Sequence, residues 1–347
     1  MSYLSDAKLG RLRRIVDLPD LSGTDYRPIE RIAAGGMATV YLVEDRRLKR
    51  KVALKVLSGT DADPELAARL AQEARVVARL EHPSIVPIHD VGVLSDGRVF
   101  YVMKYVEGST LEQYVQREVN LAERLRVYLR ICEGIAFAHA RGVIHRDLKP
   151  SNVMVGAFGE VLIMDWGIAK LRGDRARPTH EDAGGEGRPV PDVREGDVVE
   201  TRSGAVMGTP GYMAPEQARG RSDLVDERSD VYALGGLLYH LLTGRPPIDE
   251  PHAVEPVPPR QLDRGLDRGL EAICLKALSA APASRYPSAD ELASDVARYL
   301  DGGPVEAYPE SLFEKSRRWI RDNRLIVLIL LAYVVTRTVI YLLPSRP

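Results

Sequence analysis

The chain has 347 residues, of which 45% are hydrophobic and 28% are charged, ordinary values for a soluble globular protein. They exclude collagen, a coiled coil and a chain without a core. The 48 Lys and Arg residues nearly balance the 49 Asp and Glu, giving a formal net charge of -1, so we expect no nucleic-acid partner. Two cysteines, Cys132 and Cys274, are too few for a disulfide framework, and we expect reduced, buried thiols.

The first third of the chain predicts strands and one helix. Residues 1–25 form an N-terminal extension without the basic and apolar regions of a secretory signal peptide. Apolar and β-branched runs then predict strands at residues 40–43, 52–57, 85–93 and 99–106. The spacing of apolar residues predicts a helix over 64–80, and Asp96 with Gly97 predicts a hairpin turn.

Helices dominate from residue 110 onward. Apolar spacing predicts helices at 111–119 and 121–141, with Gly142 as a C-terminal cap. Residues 231–242 are mostly apolar but too few to cross a membrane, so they predict the buried central helix of a helical lobe. Strands first and helices later indicate an α+β protein with two lobes.

Several short motifs occur in one order along the chain. They are Gly35 and Gly36 after a strand, Lys55 within a strand, Glu73 on a helix, then His-Arg-Asp-Leu-Lys-Pro-Ser-Asn at 145–152, Asp-Trp-Gly at 165–167 and Ala-Pro-Glu at 214–216. Over residues 26–300 the chain resembles the protein kinases, and its variants at 34–37 and 208–217 are most similar to bacterial eukaryotic-like (Hanks-type) serine/threonine kinases. The resemblance implies a bilobal protein-kinase fold, with a β-rich N-lobe at about 26–105 and a helical C-lobe at about 106–300.

The resemblance also implies phosphoryl transfer, which needs positioned groups and cations around the roughly four negative charges of ATP. Asp147 is implied as the base that accepts the proton of the substrate hydroxyl, and Lys149 as the cation that neutralises the γ-phosphate. Lys55 is implied to contact the α- and β-phosphates and to pair with Glu73. The apolar neighbours of Lys55 in its strand argue against an ordinary solvated lysine.

The same resemblance implies a nucleotide and metal site. Asn152 and Asp165 are implied ligands of Mg²⁺, with Mn²⁺ as an alternative, since amide and carboxylate oxygens suit hard cations. The residues implied to bind ATP are Asn152, Asp165, Lys55, Ile32, Ala33, Ala34, Gly35, Gly36, Met37, Ala38, Thr39, Val40, Ala53, Met103, Lys104 and Val106. Ala33 stands where the family usually has glycine, which changes the flexibility of the loop but leaves its backbone N–H groups available to phosphates.

Further motif residues are implied to support the site rather than to act in it: His145, Asp230 and the pair Glu216–Arg285. Arg146 is implied to receive a phosphorylated activation loop. Trp166 replaces the usual phenylalanine, so a larger ring must fit the pocket beneath the helix that carries Glu73.

Residues 171–200 contain five Gly, three Pro, five Arg and eight acidic residues, and a segment of this composition cannot bury a core. By the resemblance they form a polar insert in the activation segment. We hypothesise autophosphorylation at Thr201 or Ser203, in trans within a homodimer, with Thr179 as a further candidate. Thr209 is implied to belong to the substrate platform. An inert, solvated insert is the alternative.

The tail predicts a membrane anchor. Residues 325–343 are apolar apart from Thr336, Arg337 and Thr338, and as a 19-residue helix they would measure roughly 28 Å, near the thickness of a bilayer core. The segment 301–324 before them is basic near its end, with Lys315, Arg317, Arg318, Arg321 and Arg324. This charge bias predicts a single-pass transmembrane helix with the kinase domain in the cytoplasm. Burying Arg337 would cost about 2.5–3.5 kcal/mol, so a buried or dimerising helix is the alternative.

Together these features predict an ATP-dependent serine/threonine protein kinase at the cell membrane. Lys149 within its motif matches the Ser/Thr rather than the Tyr pattern by resemblance. The alternative is a membrane-tethered pseudokinase or scaffold that binds ATP or partners without turnover, and Ala33 and Trp166 motivate it. The complete set of implied catalytic and metal residues argues against it.

Overall fold

The computed structural model describes residues 18–35, 38–58, 64–166, 210–221, 224–248 and 255–342. In these ranges the N-terminal lobe is a five-stranded antiparallel sheet in the order β1-β2-β3-β5-β4. Its strands are Tyr26–Ala34 (β1), Ala38–Asp45 (β2), Arg50–Leu57 (β3), Ile88–Val93 (β4) and Val99–Lys104 (β5). Gly97 turns the chain between β4 and β5 with φ 85°, so the predicted hairpin is confirmed.

Helix α1, Pro64–Val77, packs against β5 and carries Glu73. Proline suits the first turn of a helix, where backbone N–H groups have no partner within the helix. Leu70 and Ala74 are buried in the main hydrophobic core, which fixes the side that α1 turns toward the sheet. The prediction that this helix continues to Leu80 was wrong, because the chain leaves it after Val77 in tight turns.

The C-terminal lobe is built on helices. They are Leu111–Val115 (α2), Leu121–His139 (α3), Pro215–Ala218 (α4), Glu227–Thr243 (α5), Pro259–Leu262 (α6), Arg268–Ala277 (α7) and Ala289–Leu300 (α8). Helix α5 is buried on nearly every side, as its apolar sequence predicts, and Gly244 ends it in the left-handed region at φ 72°. The two-lobed α+β fold is therefore confirmed.

A small antiparallel sheet lies between the two lobes. Within the described part of the chain it consists of Gly108–Thr110 (β6), Val153–Gly156 (β7) and Val161–Ile163 (β8). A bridge from Ile85 to Ile163 and contacts of β8 with α3 tie it to both lobes. The loops at its ends carry residues 145–152 and the motif residues Asp165 and Trp166, so this sheet positions the candidate site.

Other sequence predictions need small corrections. The predicted strand 85–93 begins at Ile88, because the chain around Ile85 pairs with β8 instead. The predicted helix 111–119 ends at Val115. Cys132 and Cys274 are free and buried, as expected.

Two more helices follow the lobe, Leu312–Asp322 (α9) and Arg324–Leu342 (α10). The apolar tail is thus helical, as predicted. Across the described ranges, however, no helix has both the length and the apolarity needed to cross a membrane. The predicted transmembrane helix at 325–343, whose last residue lies outside the described ranges, is therefore not confirmed.

Candidate active site

One face of the N-terminal sheet gathers residues that the motif pattern assigned to nucleotide binding. Side chains alternate between the faces of a strand, so Ala53 and Lys55 share one face of β3. Cross-strand pairing places Val40 opposite Lys55, Met103 opposite Ala53, and Tyr101 opposite Lys55. The result is a mostly apolar surface with a single lysine at one end, which suits a flat aromatic ring joined to an anionic chain.

Lys55 contacts two carboxylates at once. Its Nζ lies 3.3 Å from Glu73 Oε1 and 2.9 Å from Asp165 Oδ1. Tyr101 donates its hydroxyl to the same Glu73 Oε1 over 3.1 Å. Helix α1, strand β3 and the segment after β8 therefore meet at one ammonium group.

Burial and charge act in opposite directions on this cluster. Burial disfavours the charge of Lys55, but the carboxylates of Asp165 and Glu73 outweigh it and hold the pKa of Lys55 well above its ordinary value. Burial raises the pKa of Glu73, against the attraction of Lys55. The ammonium therefore stays charged and needs anions around it, which is the property expected of a phosphate-binding lysine.

The segment after α3 forms a second polar group. Lys149 Nζ lies 3.0 Å from Asp147 Oδ2. Asn152 Nδ2 donates to the carbonyl of Asp147 over 2.8 Å and approaches Asp147 Oδ2 at 3.4 Å. The backbone carbonyl of Asn152 accepts the N–H of Met164 over 2.8 Å, so this loop is bonded to the segment that leads to Asp165.

The backbone around both groups is held in an unusual conformation. Arg146 and Asp165 have φ values of 66° and 53°, a left-handed region that non-glycine residues rarely adopt. The buried carboxylate of Asp230 accepts the N–H groups of His145 over 2.7 Å and Arg146 over 2.9 Å, and contacts His139 Nε2 at 2.8 Å. These bonds lower the pKa of Asp230 despite its burial and stabilise the strained turn.

His145 is fully buried and supports the loop, as predicted. Its Nε2 donates to the carbonyl of Met164 over 3.0 Å, and its Nδ1 accepts the N–H of Asp147 at 3.3 Å. The acceptor role of Nδ1 requires a neutral ring, and burial lowers the pKa of His145 accordingly. The ring of Trp166, which is 1% exposed, packs on His145 with 4.7 Å between centroids. The larger indole therefore fits the core without displacing these bonds.

Comparison with known proteins agrees with this geometry. The protein kinase domain family matches residues 26–257. This chain belongs to the protein kinase family. Serine/threonine-protein kinase PknB of Mycobacterium tuberculosis is 40% identical over 307 residues, covering 84% of this chain and 45% of the relative. The probable serine/threonine-protein kinase SCO3848 of Streptomyces coelicolor is 40% identical over 291 residues, covering 80% of this chain and 40% of the relative.

The chain spans less than half the length of these curated relatives. Among solved structures, the kinase domain of Mycobacterium tuberculosis PknI aligns with a TM-score of 0.59 and 29% identity, covering 80% of this chain and 96% of that one. The expected resemblance to bacterial Hanks-type serine/threonine kinases is confirmed. The family match ends at residue 257, so the domain boundary expected at 300 stays a prediction.

In this protein kinase the loop between β1 and β2 is closed by Gly35, whose N–H donates to the Ala38 carbonyl over 2.9 Å. Ala33 pairs with Val40 directly after a register shift between Arg31 and Ala33, and its backbone lies outside the left-handed region. A methyl group is therefore tolerated at this position without backbone strain. Ala34 pairs with Thr39, and Ile32 is half exposed on β1. The remaining predicted loop residues, Gly36 and Met37, lie outside the described ranges.

Three more residues implied to bind ATP, Met103, Lys104 and Val106, lie at the end of β5 and just after it. Met103 and Val106 are buried, whereas the Lys104 side chain is exposed and its N–H donates to the Pro87 carbonyl over 3.1 Å. The predicted insert 171–200 and the candidates Thr179, Thr201, Ser203 and Thr209 lie outside the described ranges.

Asn152 and Asp165 provide oxygen donors that fit a hard cation. The amide nitrogen of Asn152 is committed to Asp147, which identifies Oδ1 as the atom for a metal, and Asp165 Oδ1 is held by Lys55. Among the described residues, no three His, Cys, Asp or Glu side chains are grouped for a metal. One amide oxygen and one carboxylate suit an ion that completes its shell with phosphate oxygens and water, as Mg²⁺ does.

The predicted pair Glu216–Arg285 is confirmed. Arg285 Nη1 and Nη2 lie 2.7 and 2.8 Å from the two carboxylate oxygens of Glu216, and Ser229 donates to Glu216 Oε1 over 2.7 Å. These bonds lower the pKa of Glu216 against the effect of burial. Gln217 follows in the same motif and donates to the Arg146 carbonyl over 3.0 Å, which connects this motif to the loop that carries Asp147.

Sequence reasoning missed Tyr101, Ser229, Gln217 and His139, all of which contact motif residues. Tyr101 was detectable, because alternation along its strand puts it on the same face as Met103. The other three depend on contacts between distant segments, which spacing along the chain does not encode.

Proposed function

We propose that this protein transfers the γ-phosphoryl group of ATP to Ser and Thr hydroxyls of proteins. The observation that carries the proposal is the double contact of Lys55 with Glu73 and Asp165, formed beside a loop in which Asp147 and Lys149 already touch. A cation for phosphates, an acidic residue for a metal and a carboxylate for a hydroxyl proton are the groups that this reaction needs.

The proposed step divides the work among a few side chains. Asp147 accepts the proton of the acceptor hydroxyl as its oxygen bonds to the γ-phosphorus. The bond between that phosphorus and the β–γ bridging oxygen breaks, and ADP leaves with the electron pair. Lys149, 3.0 Å from Asp147, and Lys55 supply positive charge next to the phosphoryl oxygens.

Nucleotide and metal would occupy the cleft next to these residues. Asn152 and Asp165 would hold Mg²⁺, which neutralises phosphate charge when bound, with Mn²⁺ as an alternative. Val40, Ala53 and Met103 would pack on the adenine ring, and the backbone of residues 104–106 would meet its polar edge.

The direct test is Asp147→Asn, assayed with radiolabelled ATP and a Ser/Thr-containing protein substrate. We expect the rate to fall about 10²- to 10⁴-fold, because the amide cannot accept the hydroxyl proton. Asp301→Asn, an exposed position at the end of α8, is the matched control and retains the wild-type rate.

Binding of a non-hydrolysable ATP analogue, measured by its thermal shift, should be similar in both variants. Analogue binding without phosphate transfer in the wild type would favour the pseudokinase alternative. Equal transfer by wild type and Asp147→Asn would rule out the proposed role of Asp147.

We further propose activation by autophosphorylation in trans between two copies, at Thr201 or Ser203. The support is the position of Arg146 next to Asp147 and the bond from Gln217 to its carbonyl, which link the catalytic loop to the segment after the activation loop. The test mixes the inactive Asp147→Asn chain with active wild type and maps phosphate on the inactive chain. An inactive chain without phosphate between residues 171 and 209 would contradict the proposal.

We also propose attachment to the cell membrane through α10, with the kinase domain on the cytoplasmic side. The support is the apolar sequence of α10, its large exposed side chains such as Leu325 and Ile329, and the basic segment before it. The test is extraction of membranes from expressing cells with alkaline carbonate. A chain that stays in the pellet is expected, and release into the supernatant would contradict the anchor.

A further inference from the structure

Helix α9 turns its apolar face away from the protein. Its apolar residues lie on one side of the helix, because Phe313, Trp319 and Ile320 follow Leu312 by one, seven and eight residues. Their exposed fractions are 83%, 78%, 53% and 50%. A helix that covers a globular core buries this side, so α9 has the reverse of the usual orientation.

The opposite, polar face of α9 packs on the C-terminal lobe. Glu314 accepts the hydroxyl of Tyr308 over 3.1 Å and lies 3.9 Å from Arg268 of α7. Arg318 forms an ion pair with Glu310, and Arg321 Nη2 donates to the carbonyl of Gly302 over 3.1 Å. Polar contacts therefore set the rotation of α9 and keep its apolar face outward.

The segment that leads into α9 is also held to the lobe by hydrogen bonds. The fully buried carboxylate of Asp295 on α8 accepts the N–H groups of Glu306 over 2.6 Å and Ala307 over 3.0 Å. A capping box of Ser311 and Glu314 then fixes the first turn of the helix. These bonds and the capping box therefore fix where α9 begins and how its first turn is placed against the lobe.

Charge indicates what this face meets. Residues 315–324 contain five Lys or Arg and one Asp; Arg318 and Arg321 are bonded on the polar face, and the side chains of Lys315 and Arg324 are exposed. An apolar strip with Trp and Phe, bordered by basic residues, is complementary to the boundary between anionic headgroups and acyl chains. Two copies of the same segment would instead bring like charges together, which disfavours a second chain as the occupant.

We propose that α9 is an interfacial helix that lies on an anionic phospholipid surface and holds the C-terminal lobe against it. The inference deepens the membrane attachment proposed above and rests on it, because α10 begins one residue after Asn323, where α9 is capped. It adds a specific orientation, in which Phe313, Trp319 and Ile320 enter the lipid and the polar face of α9 carries the kinase.

The test uses the fluorescence of Trp319 in the full chain, reconstituted in phosphatidylcholine vesicles with or without phosphatidylglycerol. Lipids brominated near the headgroup end of the acyl chain should quench Trp319 strongly, and lipids brominated near the chain terminus should quench it weakly. The other tryptophan, Trp166, is 1% exposed and out of reach of lipid. Trp319→Phe should therefore remove the quenchable signal, and high salt or omission of phosphatidylglycerol should reduce it.

A double variant, Phe313→Glu with Ile320→Glu, should reduce the quenching constant of Trp319 about tenfold, because two apolar side chains no longer enter the lipid. Phe158→Glu is the matched control, since Phe158 is a 97% exposed aromatic residue elsewhere on the surface, and it should leave the quenching unchanged. Phosphotransfer in detergent should match wild type in both variants, which verifies their folding.

The outcomes separate this inference from the anchor. A chain that resists carbonate while its Trp319 is quenched by aqueous acrylamide and not by bromolipid overturns the inference and leaves the anchor intact. Quenching by bromolipid in a chain that carbonate releases supports α9 and contradicts the anchor. A Trp319 shielded from both quenchers indicates a protein partner, such as a second copy, and overturns the inference.

Discussion

Tyr101 shows how a residue outside the motifs shapes the chemistry at Lys55. Its hydroxyl donates to the same Glu73 oxygen that Lys55 contacts, and its ring lies 5.5 Å from the Lys55 ammonium. A hydrogen bond to a charged acceptor is stronger than a neutral one, and here it helps to offset the cost of burying Glu73. The position of the Lys55 side chain therefore depends on Tyr101, a residue of β5 that belongs to none of the motifs.

Replacing Tyr101 with Phe tests this dependence. We expect the free energy of unfolding to fall by about 1.5–3 kcal/mol, because Glu73 loses a buried donor. kcat/KM for phosphotransfer should fall severalfold, since the Lys55–Glu73 pair is held less firmly. Urea denaturation and steady-state kinetics measure the two effects.

The matched control is Tyr299→Phe, at the end of α8 and far from the cleft. It removes a hydroxyl that has no hydrogen bond to any of the described residues, so both quantities should stay near wild type. An unchanged kcat/KM in Tyr101→Phe would show that Lys55 and Glu73 keep their positions without the Tyr101 hydroxyl.

Helix α5 and the segment after α7 connect elements that are distant in sequence. The guanidinium of Arg285 is completely buried, binds both oxygens of Glu216 and also donates to the carbonyls of Ser279, Arg228 and Ala280. All its donors are used in one rigid arrangement, which lysine cannot reproduce. This pair fixes the segment that begins with α4 to the helical core.

Arg285→Met should lower the free energy of unfolding by about 3–5 kcal/mol, because it leaves the Glu216 carboxylate buried without its partner. The double variant Glu216→Gln with Arg285→Met should recover part of that loss, since it removes the unpaired charge. Thermal and urea denaturation provide the comparison.

Arg27→Met is the control. Arg27 pairs with Glu44 on the exposed side of the sheet, where an ion pair contributes about 1 kcal/mol or less. A loss in Arg285→Met as small as in the control would contradict a structural role for the buried pair.

The sequence predicted the elements more reliably than their ends or their contacts. Motif residues such as Lys55 and Asp147 could be singled out because the family that the chain resembles restricts residue type and order, and the structure brings their side chains into two polar clusters. The ends at Val77 and Val115 were misplaced because the chain leaves both helices in tight turns, such as the Leu80 N–H bond to the Val77 carbonyl, which apolar spacing does not encode. The reversed orientation of α9 was invisible for the same reason, since amphipathic spacing shows that a face exists but not which side the protein covers.

For the whole molecule, burial of neutral histidines predicts a loss of stability in acid. Burial lowers the pKa of His82, His89, His145 and His240, so the unfolded chain binds protons at a higher pH than the folded one. Stability is thus full above the unfolded pKa of about 6.5 and falls as the pH drops below it. Each histidine contributes at most about 1.4 kcal/mol per pH unit. The raised pKa of Glu73 has the opposite effect, because it stabilises the folded state as the pH falls, but Glu73 is one group against four histidines.

The free energy of unfolding, measured in urea from pH 7.5 to 5.5, should decrease across this window. His145→Gln should reduce the slope, because His145 is fully buried and its Nδ1 must stay unprotonated. His89→Gln, at a more exposed position, should change it less. Equal slopes for wild type and His145→Gln would show that the ring is not the group that titrates.

Helix α3 connects the two ends of the C-terminal lobe. Its first residues, Leu121 and Leu125, line a cavity of about 1100 Å³ shared with α9, and its last residue, His139, holds the Asp230 that supports the catalytic loop. Its 19 residues give a rod of about 28 Å. With α9 on lipid, the length of α3 contributes to the distance between the membrane surface and the proposed site of phosphoryl transfer. With α3 along the membrane normal, a substrate embedded in the same membrane would need about eight extended residues to pass the length of α3 alone before its acceptor hydroxyl, a spacing rule imposed by one helix.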